Sequence, residues 1–301
     1  MCDQDADKAS DSTSGLYLGE SDFNNTIAHN TVVHFGASGH SLPPEPGGSG
    51  VNRAAKKTSH PNPTRHKGKV AAEKVLQAFN TWAFKREQPD SPLLMLQTIS
   101  RSIALGEPIP FVLYWGKGPR SAIDAPEIEC LEYIASLTRR VDEIYPQGTA
   151  VELIFTDTHA ELNGHSQPSM RAYFAEIEAC ARKFGFAHCW MSHLTQAAGP
   201  AATDLRDDPP PDDAFLERLA TSAAKWYHGN ESPERAALIY YKLNMVEKRA
   251  VEIAFPHAIF ITFNGRQLRC LFPKRLPIFY MYSLRRGVSI KPWFFGAGSS
   301  H

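Results

Sequence analysis

Hydrophobic residues recur along most of this chain with a helical or a strand-like period, and the first stretch has neither. Over residues 1–66, Ser, Gly, Asn, His and Pro predominate, and only Thr31-Val32-Val33-His34-Phe35 gathers apolar side chains. Ser41-Leu42-Pro43-Pro44-Glu45-Pro46-Gly47-Gly48-Ser49-Gly50 has the composition of a linker. So little apolar surface cannot offset the entropy of ordering a chain, which predicts a disordered, low-complexity tail over 1–66. Arg53, Lys56, Lys57, Arg65, Lys67 and Lys69 form a basic patch at its end, suited to a solvated segment or to an anionic partner.

From about Lys69 the pattern changes. Val75, Leu76, Phe79, Trp82 and Ala83 recur at helical spacing. A second helix is expected over 92–105, with Leu93, Leu96, Ile99 and Ile103 on one face, Pro92 in its first turn and Gly106 at its end. Residues 108–115 are an apolar run, the signature of a buried strand. A helix from about Pro126 carries Ile128, Leu131, Ile134, Leu137, Val141 and Ile144, and Pro146 stops it. A strand over 151–156 follows, then a helix over 168–183 closed by Gly185, then a short strand over 186–190. One later helix ends near Trp226, and another runs from Ser232-Pro233 to about Val251, with Ser232 as its N-cap. This alternation predicts an α/β fold, a Rossmann-like, mainly parallel sheet with covering helices, filling 67–301 as a single domain. The last segment reads as strand-rich. Residues 258–263 and 267–272 flank Asn264-Gly265, the strongest short hairpin signal, and 278–283 supplies a further strand.

Composition narrows the function. Lys+Arg and Asp+Glu are each 32, so the formal net charge is zero, which argues against a general nucleic-acid coat. The zero sums unlike regions: the basic patch, an acidic proline-rich loop at 204–213, and a basic, aromatic C-terminal segment. Hydrophobic residues are 43% and aromatics 11%, enough for a sizeable core. No apolar run reaches the roughly 18 residues of a membrane span, and Met1-Cys2-Asp3-Gln4-Asp5 is too acidic and polar to open a signal peptide. Five cysteines without tight spacing fit a reduced, cytoplasmic protein.

In open α/β sheets, ligands sit beyond the carboxyl ends of the parallel strands. Two loops there are rich in polar groups. In Gly116-Lys117-Gly118-Pro119-Arg120-Ser121, glycines allow close backbone approach, and Lys117 and Arg120 can pair with phosphate or carboxylate. Its likeness to a dinucleotide fingerprint is weak, because Pro119 stiffens the loop. In Thr156-Asp157-Thr158-His159-Ala160-Glu161-Leu162-Asn163-Gly164-His165, a carboxylate lies beside an imidazole just past a strand, a natural acid–base pairing. Asp157 could equally cap the next turn. His159, Glu161 and His165 match no established metal spacing, and Cys180, Cys189 and His193 read as packing residues, so no metal is expected. Lys274, Arg275, Arg285, Arg286 and Lys291 stand among aromatics and could close over an anionic ligand.

The order of segments resembles the isonitrile (isocyanide) synthases of the PvcA type. The residues that carry the likeness are Pro108-Ile109-Pro110-Phe111-Val112-Leu113, Lys117-Gly118-Pro119-Arg120, Ile144-Tyr145-Pro146-Gln147-Gly148, Thr156-Asp157-Thr158 with Asn163, and Lys291-Pro292-Trp293-Phe294. They spread over about 70–300. Arg120 stands where the family pattern has Asn, Asn163 where it has an acid, and Phe294 where it has His. The resemblance implies condensation of an amino acid's amine with the ketone of a pentulose phosphate such as ribulose 5-phosphate, ending in an isonitrile, without metal or redox cofactor. It implies that Asp157 and His159 move protons and that Asn163 orients a hydroxyl or carbonyl. Lys117, Gly118, Arg120, Thr156, Lys274, Arg285 and Lys291 would contact the substrates. The partners are then small molecules, with neither nucleic acid nor membrane. Two other readings compete: a nucleotide- or nucleotide-sugar-dependent transferase using the Gly116 loop, and a non-catalytic anion-binding module.

Overall fold

The apolar runs do assemble into one sheet. A computed structural model describes residues 63–116, 123, 125–159, 162, 165–204, 211–227 and 229–282, all within the unit Ala54–His301. Its strands are β1 (Ile109–Trp115), β2 (Thr149–Phe155), β3 (Ala187–Trp190), β4 (Ile259–Thr262) and β5 (Ile278–Tyr280). They lie in the order β3-β2-β1-β4-β5, and every neighbouring pair is parallel. The fold is therefore α/β and Rossmann-like, as the sequence predicts. The chain steps outward from β1 to β2 and β3, then returns to the other flank of β1 with β4. The strand order thus reverses between β1 and β4, and the cleft beyond their carboxyl ends is the place where such sheets bind ligands.

The helices are α1 (Pro63–Phe79), α2 (Pro92–Leu105), α3 (Ala125–Asp142), α4 (Gln167–Arg182), α5 (Met191–Ala198), α6 (Pro200–Thr203), α7 (Asp213–Trp226) and α8 (Pro233–Ala254). Their ends obey local chemistry. Ser91, Ser166 and Ser232 each accept a backbone N–H in the first turn of α2, α4 and α8, with proline just inside each start. Gly106 ends α2 in the left-handed region, at φ 66°.

Alternation along β1 separates two cores. Phe111, Leu113 and Trp115 join Leu153, Phe155, Ile259, Ile261 and Phe279 on one face, packed by α1, α3 and α4. Phe79 of α1 sets its ring edge-on to both Phe111 and Phe279. On the other face, Val112 joins Ile154, Phe260, Ile278 and Tyr280 beneath α7 and α8. Burying one such side chain contributes roughly 1.5–3 kcal/mol, so each face supplies many times the net stability of a domain before chain entropy opposes it.

Two expectations are corrected, and one unassigned segment is filled. The hairpin at Asn264-Gly265 does not form. Residues Arg266–Leu271 make a 3-10 helix, and β5 joins β4 in parallel. A tight hairpin turn needs positive φ, whereas Gly265 is extended at φ −87°, ψ 175°. Trp82 lies beyond the end of α1 and is exposed, as is Leu93 on α2, whose buried face is Met95, Thr98, Ile99 and Ser102. Finally, Met191–Thr203, unassigned from the sequence, forms α5 and α6 directly after β3. None of the described helices is long and apolar enough to cross a membrane.

Candidate functional site

The carboxyl edge of the sheet collects the polar residues. Just past β1, Gly116 has no room for a side chain. A Cβ there would stand 2.2 Å from Thr156 Oγ1. Thr156, just past β2, donates its backbone N–H to the Trp115 carbonyl at 3.2 Å. These contacts hold together the starts of the two loops singled out from the sequence.

The chain then turns through a short 3-10 helix, Asp157–His159. Asp157 is turned back on the fold. Oδ1 accepts the Ser192 backbone N–H at 2.9 Å, and Oδ2 accepts the Ser192 hydroxyl. Ser192 lies in the first turn of α5, so the carboxylate also meets the positive end of that helix. Both oxygens are engaged, which makes Asp157 a clasp between the ends of β2 and β3.

His159 has a different partner. Its Nε2 lies 2.9 Å from Glu247 Oε2, and the other oxygen of Glu247 accepts the Thr158 hydroxyl. The Glu247 side chain is 1% exposed and that of His159 12%. A carboxylate can only accept in such a contact, so this geometry orients the imidazole with Nε2 as donor and leaves Nδ1 as the ring nitrogen turned away from Glu247. That is the arrangement of a general base oriented by an acid. The Tyr240 ring packs edge-on to His159 with centroids 5.2 Å apart. Burial, with Glu247 nearby, holds the Tyr240 phenol well above its usual pKa, so it stays protonated.

Glu247 was not among the residues expected. The signal was present: Tyr240, Asn244, Glu247 and Val251 share one stripe of α8, and a carboxylate there is out of keeping with its buried neighbours. Lys248 and Glu252 continue this buried polar run. Lys248 donates to the Cys270 carbonyl at 3.3 Å, and Glu252 accepts the backbone N–H groups of Lys274 and Arg275.

On the same face, Glu152 of β2 and Cys189 of β3 lie close together. Burial lifts the Glu152 carboxyl above its ordinary range and pushes the Cys189 thiol up to about 12, with Glu152 adding to the latter. Cys180 packs into the opposite core, so it and Cys189 are separated by the sheet. Among the described residues, no three His, Cys, Asp or Glu side chains gather as a metal site requires. The opposite face holds a buried relay, in which Trp115 Nε1 donates to the Tyr173 hydroxyl at 3.2 Å and that hydroxyl donates to Glu127 at 2.8 Å.

The structure thus brings Thr156, Asp157 and His159 to one edge. Lys274 stands elsewhere, exposed in the segment leading into the amino end of β5. Lys117, Gly118, Arg120, Asn163, Arg285 and Lys291 lie outside the described residues.

No protein-family model and no curated protein matches the chain. Solved structures do. The PvcA protein from Pseudomonas aeruginosa superposes with a TM-score of 0.56 at 15% identity, covering 74% of this chain and 88% of that one. Tyrosyl-tRNA synthetases complexed with L-tyrosine match at 13% identity and a TM-score of 0.39. The enzyme from Pyrococcus horikoshii covers 66% of this chain and 52% of its own, and that from Archaeoglobus fulgidus 72% and 65%. The likeness to PvcA establishes a shared fold, and the resemblance read from the sequence holds at that level.

Proposed function

We propose that this protein is a biosynthetic enzyme that modifies the amine of an amino acid, in the manner of the isonitrile synthases, with a pentulose phosphate as carbon donor. The observation that carries the reading is the His159–Glu247 pair, a shielded imidazole held by a buried carboxylate at the carboxyl edge of a PvcA-like sheet.

Condensation of an amine with a ketone needs a proton taken from nitrogen and a proton given to the departing oxygen. The amine adds to the carbonyl carbon, water leaves, and an imine forms. His159 suits both transfers, because Nδ1 accepts while Glu247 stabilises the imidazolium that results. Asp157 is a positioning residue that fixes the turn carrying His159 against α5. In this reading Lys117 and Arg120 take the phosphate, and Asn163 orients a hydroxyl or carbonyl. Lys274, exposed at the other edge of the sheet, has no role in it. The proposed chemistry draws on no metal or redox group and runs in the cytoplasm on small-molecule substrates.

Mass spectrometry of the purified protein with a panel of amino acids and ribulose 5-phosphate tests it. The expected product has one carbon more and two hydrogens fewer than its amino acid, and His159→Ala should not form it. Unchanged amino acids throughout the panel would overturn the reading.

A further inference from the structure

Tyr114 is the penultimate residue of β1, the central strand, on the flank where the strand order reverses. Its hydroxyl is buried and has no hydrogen-bond partner among the described residues. Buried hydroxyls in native proteins are almost always paired, so an orphan at this place asks for an explanation. The other orphans among the described residues have local accounts. Asn80 and Thr81 lie in the turn that leaves α1, and Glu252 Oε2 has the guanidinium groups of Arg249 and Arg275 within 4.0 Å.

The hydroxyl is also held in place. The Tyr114 ring packs at 74° to Phe260 of β4, with centroids 4.7 Å apart. Burial, then the charges of Glu247 and Glu252, keep the phenol well above its usual pKa. It therefore remains a donor at any physiological pH. The same carboxylates disfavour a further negative charge beside it, so a phosphate or carboxylate group is a poor partner.

We infer that Tyr114 is a ligand-contacting residue of this site, donating its hydroxyl proton in a hydrogen bond to a neutral substrate oxygen such as a ketone carbonyl. The identity of that ketone rests on the function proposed above. The assignment of Tyr114 rests on its own burial and place.

Tyr114→Phe removes only the hydroxyl. Without additive, the variant should melt at or above the wild-type temperature, because none of the described residues loses a partner. A midpoint lowered by several degrees would show that the hydroxyl serves the fold and would overturn the inference. With ribulose 5-phosphate as probe, the concentration giving half the thermal shift should rise about tenfold in the variant, the loss of one good hydrogen bond. Inorganic phosphate should act equally on both proteins. An identical response of both to ribulose 5-phosphate would also overturn the inference. If ribulose 5-phosphate shifts neither protein, the pentulose reading fails, and the additive-free comparison decides for Tyr114: an undiminished midpoint upholds the orphan, a lowered one refutes it.

Discussion

The two faces of the sheet are built from the same strands and have opposite characters. Beneath α1, α3 and α4 the packing is aromatic and aliphatic, with one internal relay through Trp115, Tyr173 and Glu127. Beneath α8 the apolar layer is interrupted towards the carboxyl edge by Tyr114, Glu152, Asn244 and Glu247. Adjacent residues of β1 belong to different regimes: Trp115 is closed into the first core, while Tyr114 presents on the second a hydroxyl that none of the described residues meets. Each face buries a carboxylate, but Glu127 on the first is met by a tyrosine locked in the core, whereas Glu247 on the second holds an imidazole at the carboxyl edge of the sheet. Both faces hold a hydrophobic core, and the second also carries the candidate site.

The comparison can be broken most sharply at Phe155, whose ring stacks on Phe174 at 4.5 Å and meets Trp190 edge-on. Phe155→Ala should cost about 3–5 kcal/mol in denaturant titration. A cost near zero would mean that the first face does not hold the fold. Glu247→Gln on the second face should behave in the opposite way. It keeps an acceptor for Thr158, so stability should stay within about 1 kcal/mol, while turnover of the amino acid falls on the order of a hundredfold as His159 loses its charged partner. Unfolding as severe as that of Phe155→Ala would merge the two faces into one structural role.

A smaller effect is expected at the seam between the two loops. Gly116→Ala should lose roughly 1–3 kcal/mol, because its new methyl group meets Thr156 Oγ1. Adding Thr156→Ala removes that oxygen and should recover most of the loss in a double-mutant cycle. The smallest effect is at Glu152. Its carboxyl titrates above the ordinary range when folded, so the folded chain holds that proton more tightly than the unfolded one. The stabilisation is present at acid pH and is lost as pH rises through the folded pKa. Glu152→Gln should therefore raise thermal stability at neutral pH, by less than about 1 kcal/mol because the group is half-solvated, and the gain should vanish below the ordinary carboxylate range.

Much of this organisation was legible in the sequence, for reasons that also explain the misses. The apolar runs of β1 and β2, Pro92 in the first turn of α2 and the Ser-Pro start of α8 are local signals backed by burial, and the structure agrees with them. Asp157 and His159 stood out as polar groups directly past a buried strand, and the structure gives Asp157 the capping role that the sequence left open. Asn264-Gly265 misled because a dipeptide preference is worth less than a strand's pairing with its neighbours, and β5 is reached by a crossover instead of a hairpin. Glu247 was hidden because charges on long helices are usually solvated, and the side that α8 buries depends on the sheet beneath it. Tyr114 was hidden more deeply, since a tyrosine in an apolar strand reads as packing until its hydroxyl is seen to lack a partner.

The clasp and the dyad also fix when the site comes into being. Asp157 is closed by Ser192, 35 residues further on, and His159 by Glu247, 88 residues further on. A chain leaving the ribosome therefore makes its histidine long before the carboxylate that aims it, and such distant contacts form late in folding. Until α8 is laid across the sheet, the imidazole is an ordinary solvated side chain with no orientation. Synthesis order thus acts as a safety catch: a copy that ends before α8 carries the histidine without the carboxylate that aims it.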